Sequence, residues 1–279
     1  MDNTVEAVRG YYDENARLEW ERLEKHPFEF LLTTGMMERY IRPGDSVLDI
    51  GGGPGRYSIH FAQRGCRVVL AELSQSNVAL AREKAAEAGV TVEAYACDCL
   101  ELDKLGLGQF DHVFLMGPLY HLQREEDRIR AVELALKHLK PGGMLYVSFI
   151  LTFAGVIYDL QNKGYLVEDL KNAHAMALVD AVEQGGDYCG PGFTEVYFYH
   201  QRNILPFMAR FPLEKRHLFG QEGILSPNYR ELLTRSPEEI QAWVDLARRY
   251  LELPELLSYS EHAMYIGRKL PENDEGENI

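Results

Sequence analysis

The residues most suggestive of chemistry form a short glycine-rich segment, residues 47–57, with the sequence VLDIGGGPGRY. Its glycines are Gly51, Gly52, Gly53 and Gly55. Asp49 stands two residues before the first of them, and a helical pattern follows the last. Because glycine has no Cβ, the backbone of such a turn can lie very close to a ligand and take positive φ without strain. The segment therefore predicts a cofactor-binding turn between the first strand and the first helix.

The spacing of these glycines separates two classes of cofactor. The dinucleotide fingerprint G-x-G-x-x-G needs its third glycine at position 56, and that residue is Arg56. The glycine comes one residue earlier, at Gly55, so the segment reads D-x-G-x-G-x-G from Asp49 onward. This departure disfavours a nicotinamide-dependent oxidoreductase.

The pattern D-x-G-x-G-x-G resembles motif I of the class I S-adenosylmethionine-dependent methyltransferases. The resemblance implies S-adenosyl-L-methionine as cofactor and S-adenosyl-L-homocysteine as product, with the glycine turn passing under the methionine and ribose. It also implies that Asp49 organises the ammonium end of the cofactor, directly or through water. Later motifs extend the resemblance over residues 47–149, about a third of the chain.

The later motifs follow in the order that the family requires. Glu72 ends the second apolar run, where the family places a carboxylate that binds both ribose hydroxyls, and Leu73 should pack on the adenine. Asp98, in ACDCLEL, matches the acidic residue that binds the adenine amino group. The segments FDHVFLMGPLYHL and LKPGGMLYVSF match the fourth strand and the turn before the fifth. The remaining expected cofactor contacts are Tyr12, Cys97, Cys99 and Met116.

Strands and helices alternate from Val47 onward, and five short apolar runs read as buried strands. This alternation is typical of a doubly wound, Rossmann-like α/β sheet, here of seven mostly parallel strands with helical cap insertions. Ligands of such sheets bind beyond the carboxyl ends of the strands. We expect an N-terminal helical lid (1–42), a cofactor-binding core (43–150), a cap insertion (151–200), the remainder of the sheet (201–270) with a helical insertion at about 225–258, and a disordered acidic tail (271–279).

His121 and Tyr120 follow the fourth strand, at the edge where the transferred methyl group is expected. His121 is the expected general base if the acceptor must lose a proton early. The alternative is a histidine that only steadies its loop, and Tyr120 can equally be a core ring. The expected acceptor contacts are Tyr11, Tyr197, Tyr199 and His200. Ordinary helix or core packing is the alternative for all four.

The sequence favours a small organic acceptor over a nucleic acid. Family members that methylate amino groups of nucleic acids or glutamine carry Asn/Asp-Pro-Pro-aromatic after the fourth strand, whereas residues 117–120 read GPLY. The net charge of −14, without a basic cluster, also opposes binding to a phosphate backbone. Two alternatives stay open: an RNA methyltransferase with a basic rim, and a non-catalytic S-adenosylmethionine-binding module. The acceptor, the methylated atom and the oligomeric state stay open too.

The chain has no apolar run of membrane-spanning length, and its first residues are polar and acidic, so neither a membrane span nor secretion is expected. Its four cysteines fit reduced thiols in a cytoplasmic protein. Cys97 and Cys99, with Cys189, are the residues to consider as thiol ligands, but no second pair with zinc-like spacing is present. No metal site is expected.

Overall fold

The computed structural model describes residues 3–25, 27–161 and 166–271. The strands are β1 (Ser46–Ile50), β2 (Arg67–Glu72), β3 (Val92–Ala96), β4 (Phe110–Leu115), β5 (Leu139–Ile150), β6 (Tyr188–Pro191), β7 (Glu195–Phe198), β8 (Leu213–Gly220) and β9 (His262–Lys269). The helices are α1 (Asn3–Lys25), α2 (Pro27–Met37), α3 (Arg56–Gln63), α4 (Gln75–Glu87), α5 (Glu125–Lys137), α6 (Ala154–Gln161), α7 (Leu166–Asp169), α8 (Ala173–Gln184), α9 (Gln201–Met208), α10 (Tyr229–Leu232) and α11 (Pro237–Tyr250).

Seven strands form one sheet in the order β3-β2-β1-β4-β5-β9-β8. The first five are parallel, whereas β9 runs antiparallel to both β5 and β8. This arrangement confirms the predicted Rossmann-like sheet of seven mostly parallel strands. From β1 the sheet extends to one side through β2 and β3, and β4 then lies on the other side of β1. Sheets of this kind bind ligands in the crevice at the carboxyl ends of the two strands where the order changes, here β1 and β4.

Both faces of the sheet are covered, which explains why its central strands are apolar throughout. Every residue of β1 is buried. One core cluster packs α2, α3 and α4 against the sheet through side chains such as Leu32, Phe61 and Val78. A second cluster holds α5 and α9 on the other face through side chains such as Val132 and Phe207. This double burial fixes the carboxyl ends of β1, β2 and β4, on which the site is built.

Two insertions interrupt the sheet near this crevice. Between β5 and β8 the chain forms α6 to α9 and the β6–β7 hairpin. Ile150, Ala154 and Phe198 belong to a third apolar cluster that joins the hairpin to the end of β5. Between β8 and β9 it forms α10 and α11. Of the expected acidic tail, residues 272–279 lie outside the described residues.

The N-terminal helix α1 lies across α4 and is fastened to its first turn. Ser74 caps α4 by accepting a hydrogen bond from the backbone N–H of Asn77 (3.0 Å). The same Ser74 hydroxyl donates to Asp13 Oδ1 of α1 (2.6 Å), which also accepts from the backbone N–H of Ser76 (3.1 Å). Within the described residues, no helix combines the length and apolar character needed to cross a bilayer.

Candidate active site

The glycine-rich turn lies where the ends of β1 and β4 meet. Gly51 and Gly53 have φ of 70° and 57°, which favours glycine at both positions. A Cβ on Gly117, after β4, would lie 2.5 Å from the carbonyl oxygen of Gly51. A Cβ on Gly52 would lie 2.4 Å from Asp49 Oδ2. The two turns therefore pack main chain against main chain, and they leave a side-chain-free surface at the crevice.

Glu72, the last residue of β2, is buried beside this turn and held by three donors. Its Oε2 accepts from the backbone N–H of Gly53 (3.1 Å). Its Oε1 accepts from the backbone N–H of Ser74 (3.0 Å) and from the side-chain amide of Asn77 (3.3 Å). Burial raises the pKa of Glu72, although these hydrogen bonds act to lower it. The single bond at Oε2 leaves that oxygen able to accept from a ligand hydroxyl.

Asp49 lies beneath the turn, with 2% of its surface exposed. Its Oδ2 accepts a hydrogen bond from the Ser58 hydroxyl at 2.7 Å. Burial raises the pKa of Asp49 to about 7. The hydrogen bond from Ser58 opposes this rise, and the nearby charge of Glu72 adds to it. A cation placed beside Asp49 would therefore favour its ionised form.

These groups open onto a cavity of about 160 Å³ above the sheet edge. The sequence-predicted cofactor residues that line it are Tyr12, Asp49, Gly51, Gly52, Gly53, Glu72, Leu73, Cys97, Asp98, Cys99 and Met116. A Cβ on Gly53 would meet just the Asn77 amide, at 4.0 Å, so the main chain there faces open space. A bare glycine surface beside a carboxylate with spare acceptor capacity fits a nucleoside with a free ribose. The residues therefore fit S-adenosylmethionine.

His121 and Tyr120 line the same cavity from the turn after β4. The Nε2 of His121 lies 3.0 Å from the Tyr12 hydroxyl, and its Nδ1 lies 3.0 Å from Thr194 Oγ1. Thr194 donates its one hydroxyl proton to the carbonyl oxygen of Glu195 (3.1 Å), so it accepts from Nδ1–H of His121. Nε2 is then the acceptor of the Tyr12 proton. Burial lowers the pKa of His121 to about 4.

A second, larger cavity of about 720 Å³ adjoins the first. Its wall comes mainly from α1, α6, α8 and the β6–β7 hairpin. Its aromatic lining consists of Tyr11, Tyr12, Tyr120, Tyr158, Tyr188, Phe193 and Phe198. The two cavities share Tyr12, Glu19, Arg22, Tyr120 and His262. The two cavities therefore adjoin at these five residues.

Four sequence-predicted residues lie elsewhere among the described residues. Gly55, with φ of 83°, lines neither cavity: a Cβ there would press on Ala81 Cβ at 3.1 Å, so the glycine serves the packing of α3 against α4. Tyr197, Tyr199 and His200 line neither cavity as well.

Each of these three side chains is engaged by other contacts. Tyr197 donates to Asp187 Oδ2 (2.8 Å) and stacks under the Arg128 guanidinium, 3.5 Å from the ring centroid. Tyr199 is buried in the core, and His200 caps α9. Tyr11 lines the larger cavity, whereas these three residues lie away from both cavities, and their expected contact with the acceptor stays a prediction.

Several polar residues at the junction, the place where the two cavities adjoin, could not be identified from the sequence. Arg22 and Glu19 are three residues apart on α1 and form a two-bond ion pair (2.9 and 2.6 Å), a spacing that also suits any surface helix. His262 begins β9, which antiparallel pairing with β5 brings to the crevice. Thr194 sits in the hairpin turn. No local motif marks these positions, because distant elements bring them together.

A sheet of this order, with a glycine turn after β1 and a buried carboxylate at the end of β2, defines the class I S-adenosylmethionine-dependent methyltransferase fold. Comparison with known proteins agrees, since residues 47–143 match the family described as a methyltransferase domain. The similarity to a methyltransferase domain therefore covers residues 47–143. The resemblance stated from the sequence is confirmed, and the expected cofactor is that of the family.

One relative among characterised proteins is the ubiquinone biosynthesis O-methyltransferase of Pseudomonas aeruginosa. It is 30% identical over 154 residues, which cover 54% of this chain and 65% of the relative, just under two thirds of its length. Among solved structures, magnesium protoporphyrin IX methyltransferase of Synechocystis with bound S-adenosylhomocysteine aligns with a TM-score of 0.58 and 15% identity, covering 96% of this chain and 100% of that one. The N-methyltransferase NodS of Bradyrhizobium japonicum gives 0.56 and 14%, covering 97% and 100%. At these identities the two structures show a shared fold.

Proposed function

We propose that the protein is an S-adenosylmethionine-dependent methyltransferase that acts on a small-molecule acceptor. The observation that carries this proposal is the pair of adjoining cavities. One has the glycine turn and Glu72 of a nucleoside site, and the other is large, aromatic and formed by the cap. The names of the relatives support it, because one is a ubiquinone biosynthesis O-methyltransferase and another is a magnesium protoporphyrin IX methyltransferase.

In this proposal Glu72 binds the ribose hydroxyls, Asp98 and Leu73 bind the adenine, and Asp49 faces the ammonium end. When bound, S-adenosylmethionine supplies a methyl group made electrophilic by its sulfonium, which an in-line nucleophile can take directly. The protein's contribution is then to align the acceptor and to exclude water. Tyr12 and Tyr120 form an aromatic wall where the cavities join, a surface that attracts a cationic sulfur.

Tyr120 and His121 are the proposed catalytic residues, with His121 as the acceptor of a proton. In the structure the Tyr12 hydroxyl is hydrogen-bonded to His121 Nε2, so this role requires Tyr12 to move away. Its low pKa also makes it a weak base. It suits acceptors whose proton is already acidic.

We also propose that the segments of the chain have the roles expected from the sequence. Residues 1–42 serve as the lid, since α1 supplies Tyr12 and Arg22 to the cavity walls. Residues 151–200 serve as the cap, since they form most of the larger cavity. A cytoplasmic location is supported by four cysteines that are all free thiols. The acidic charge supports a partner that is not a nucleic acid.

Calorimetry with S-adenosylhomocysteine tests the nucleoside site. We expect binding to the wild-type protein and at least about tenfold weaker binding to Glu72→Gln, because an amide places a donor against the N–H groups that the carboxylate now accepts from. Glu83→Gln is the matched control, since it removes an exposed carboxylate from α4. Equal affinity in all three proteins would overturn the assignment of the site.

The two alternatives differ from the proposal in measurable ways. Methyl transfer from labelled S-adenosylmethionine is measured with total RNA and with a panel of hydroxy-aromatic and amino-aromatic compounds. We expect label in a small molecule. Label in RNA would favour an RNA methyltransferase. Binding of the cofactor without transfer to either class would favour a non-catalytic module.

A further inference from the structure

Two cationic side chains stand where the cavities converge. A small third cavity of about 30 Å³ lies between the N-terminal helices and the start of β9. Among the described residues, Arg22 and His262 line this cavity as well as both larger ones. Neither residue belongs to the cofactor-binding motifs. Their shared position raises the question of what they hold.

Glu222 holds His262 at two atoms. Its Nδ1 lies 2.6 Å from Glu222 Oε1, and its backbone N–H donates to Glu222 Oε2 at 3.0 Å. Nε2 has no hydrogen-bond partner among the described residues. Burial alone would lower the pKa of His262, but the charge and hydrogen bond of Glu222 outweigh it and raise the pKa to about 9. At neutral pH the ring is therefore a cation whose Nε2 is a donor.

Arg22 presents a second spare donor at the same place. Its Nε and Nη2 donate to the two carboxylate oxygens of Glu19, at 2.9 and 2.6 Å. Within the described part of the chain, Nη1 has no partner. The hydrogen bond and charge of Glu19 raise the pKa of Arg22, whose side chain is half exposed, so it stays charged. Glu19 is thus bonded to one edge of Arg22, as Glu222 is to one edge of His262. The other edge of each cation is left for a ligand.

Other charged groups face the same space, and hydrogen bonds engage Oε1 of two carboxylates there. Glu29 accepts from the Tyr57 hydroxyl (2.6 Å), and Glu261 accepts from Gln161 (2.9 Å) and Ser226 (2.9 Å). The titratable and charged residues that line the three cavities with His262 are Tyr11, Tyr12, Glu19, Arg22, Glu29, Asp49, Arg56, Tyr57, Glu72, Cys97, Asp98, Cys99, Tyr120, His121, Tyr158, Asp159, His174, Tyr188, Glu222, Tyr229 and Glu261. Arg22 and His262 are the two cations of this set that line all three cavities, and their unpartnered N–H groups are suited to bind an oxygen.

We propose that Arg22 Nη1 and His262 Nε2 bind an oxygen of the methyl acceptor, and that the acceptor is a hydroxy-aromatic compound held as its oxyanion. The inference rests on the proposed function, because it names the acceptor class of the same enzyme. Seven aromatic side chains line the larger cavity and suit a ring body. Two fixed cationic donors lower the pKa of a hydroxyl bound between them. An acceptor bound as its oxyanion has already lost its proton, so the weakly basic His121 need not accept one.

The ionisation of a chromogenic phenol tests this subsite without requiring turnover. 4-Nitrophenol, 4-nitrocatechol and 4-nitro-1-naphthol absorb differently as phenol and phenolate. Each is titrated with pH by absorbance in the complex of the protein with S-adenosylhomocysteine. We expect at least one to bind with its ionisation midpoint lowered by about one pH unit or more, a tenfold gain in the phenolate form.

Three variants assign the shift. His262→Gln and Arg22→Gln keep hydrogen-bonding groups but lose the charge, and each should remove at least half of the shift. His217→Gln is the matched control, because His217 also pairs through Nδ1 with a glutamate (Glu252, 2.6 Å) yet lines none of the three cavities among the described residues. It should retain the full shift. Circular dichroism checks the fold of each variant.

The outcomes separate this inference from the proposed function. If S-adenosylhomocysteine fails to bind in calorimetry, the proposed function fails and the inference fails with it. If it binds, the inference alone is overturned by any of three results: no phenol binds, the bound phenol ionises at its solution midpoint or above, or His262→Gln and Arg22→Gln retain the shift.

Discussion

The Tyr12 hydroxyl lies 3.0 Å from Nε2 of His121, and the two rings meet edge to face with centroids 5.5 Å apart. This contact joins α1 to the turn after β4. The same imidazole donates through Nδ1 to Thr194 of the β6–β7 hairpin. One neutral side chain therefore connects the proposed lid, the sheet and the cap at the place where the two cavities join. Movement of α1 would therefore change the hydrogen bonding of His121.

The first prediction concerns the protonation of this ring. Because burial lowers its pKa to about 4, His121 should remain neutral, with the proton on Nδ1, from about pH 5.5 to 8. Nitrogen-15 shifts of the imidazoles measure this directly. His262 provides the internal contrast, since it should stay protonated until pH approaches about 9. A His121 ring that titrates near pH 6.5 would show that it is solvated, with the contact to Tyr12 broken.

The second prediction concerns the fastening of α1 to α4. Asp13→Ala removes the acceptor for the Ser74 hydroxyl and the Ser76 N–H, so the lid should open more often. We expect S-adenosylhomocysteine to dissociate up to about tenfold faster, since a helix-capping interaction contributes about 1 kcal/mol. Stopped-flow displacement gives the rate.

Arg17→Ala is the matched control for this test. Arg17 also joins α1 to α4, through Glu83 at 3.1 Å, but both side chains are exposed. Such a pair contributes about 0–1 kcal/mol, so the dissociation rate should change little. Equal acceleration in Asp13→Ala and Arg17→Ala would mean that any loss of contact along α1 opens the lid.

The cofactor side of the site could be predicted from the sequence because its parts are local. Gly51, Gly53 and Glu72 each lie at the end of a strand, and a parallel sheet brings such ends to one edge. The order of the strands and the resemblance to the methyltransferase family therefore predicted that they lie together. The seven-stranded sheet followed from the same alternation of apolar runs and helices.

The acceptor side could not be predicted, since its residues come from elements whose packing no local pattern reveals. His262 reaches the junction because β9 runs antiparallel to β5, and Arg22 reaches it because α1 folds back over the sheet edge. Tyr197 illustrates a residue whose local pattern and whose packing differ. Its aromatic strand suggests a pocket, but the ring packs against Arg128 instead.

The third prediction separates the cavity role of a glycine from its backbone role. Gly53→Ala places a methyl group where the main chain faces the cofactor cavity, at φ of 57°. Gly89→Ala introduces the same strain, at φ of 70°, with nothing within 4 Å of the new methyl group. Both should lose about 1 kcal/mol of unfolding free energy, because a Cβ disfavours positive φ.

Just one of the two glycine variants should affect the ligand. Gly53→Ala should bind S-adenosylhomocysteine at least about tenfold more weakly, a loss of about 1.4 kcal/mol, since the methyl group occupies ligand space. Gly89→Ala should bind normally. Chemical denaturation and calorimetry give the two quantities. Normal binding by Gly53→Ala would place the nucleoside elsewhere than over this turn.

The fourth prediction follows from the pKa of Asp49, which burial raises to about 7 in the folded protein. In the unfolded chain an aspartate ionises near pH 3.9. Between about pH 4 and 7 the unfolded state therefore loses this proton first, and the Asp49 contribution to the free energy of unfolding falls as pH rises, levelling off above about 7. A shift of about three units corresponds to about 4 kcal/mol.

Asp49→Asn should remove this slope, because an asparagine oxygen still accepts from Ser58 but never ionises. The variant should be more stable than wild type at about pH 8 and closer to it at about pH 5, by chemical denaturation. Ligand binding should show the opposite trend. The ammonium group of S-adenosylhomocysteine favours ionised Asp49, so wild-type affinity should rise as pH increases through about 7, whereas Asp49→Asn should bind weakly at every pH. Parallel pH profiles for the two proteins would show that Asp49 is already ionised in the free enzyme and does not contact the ammonium group.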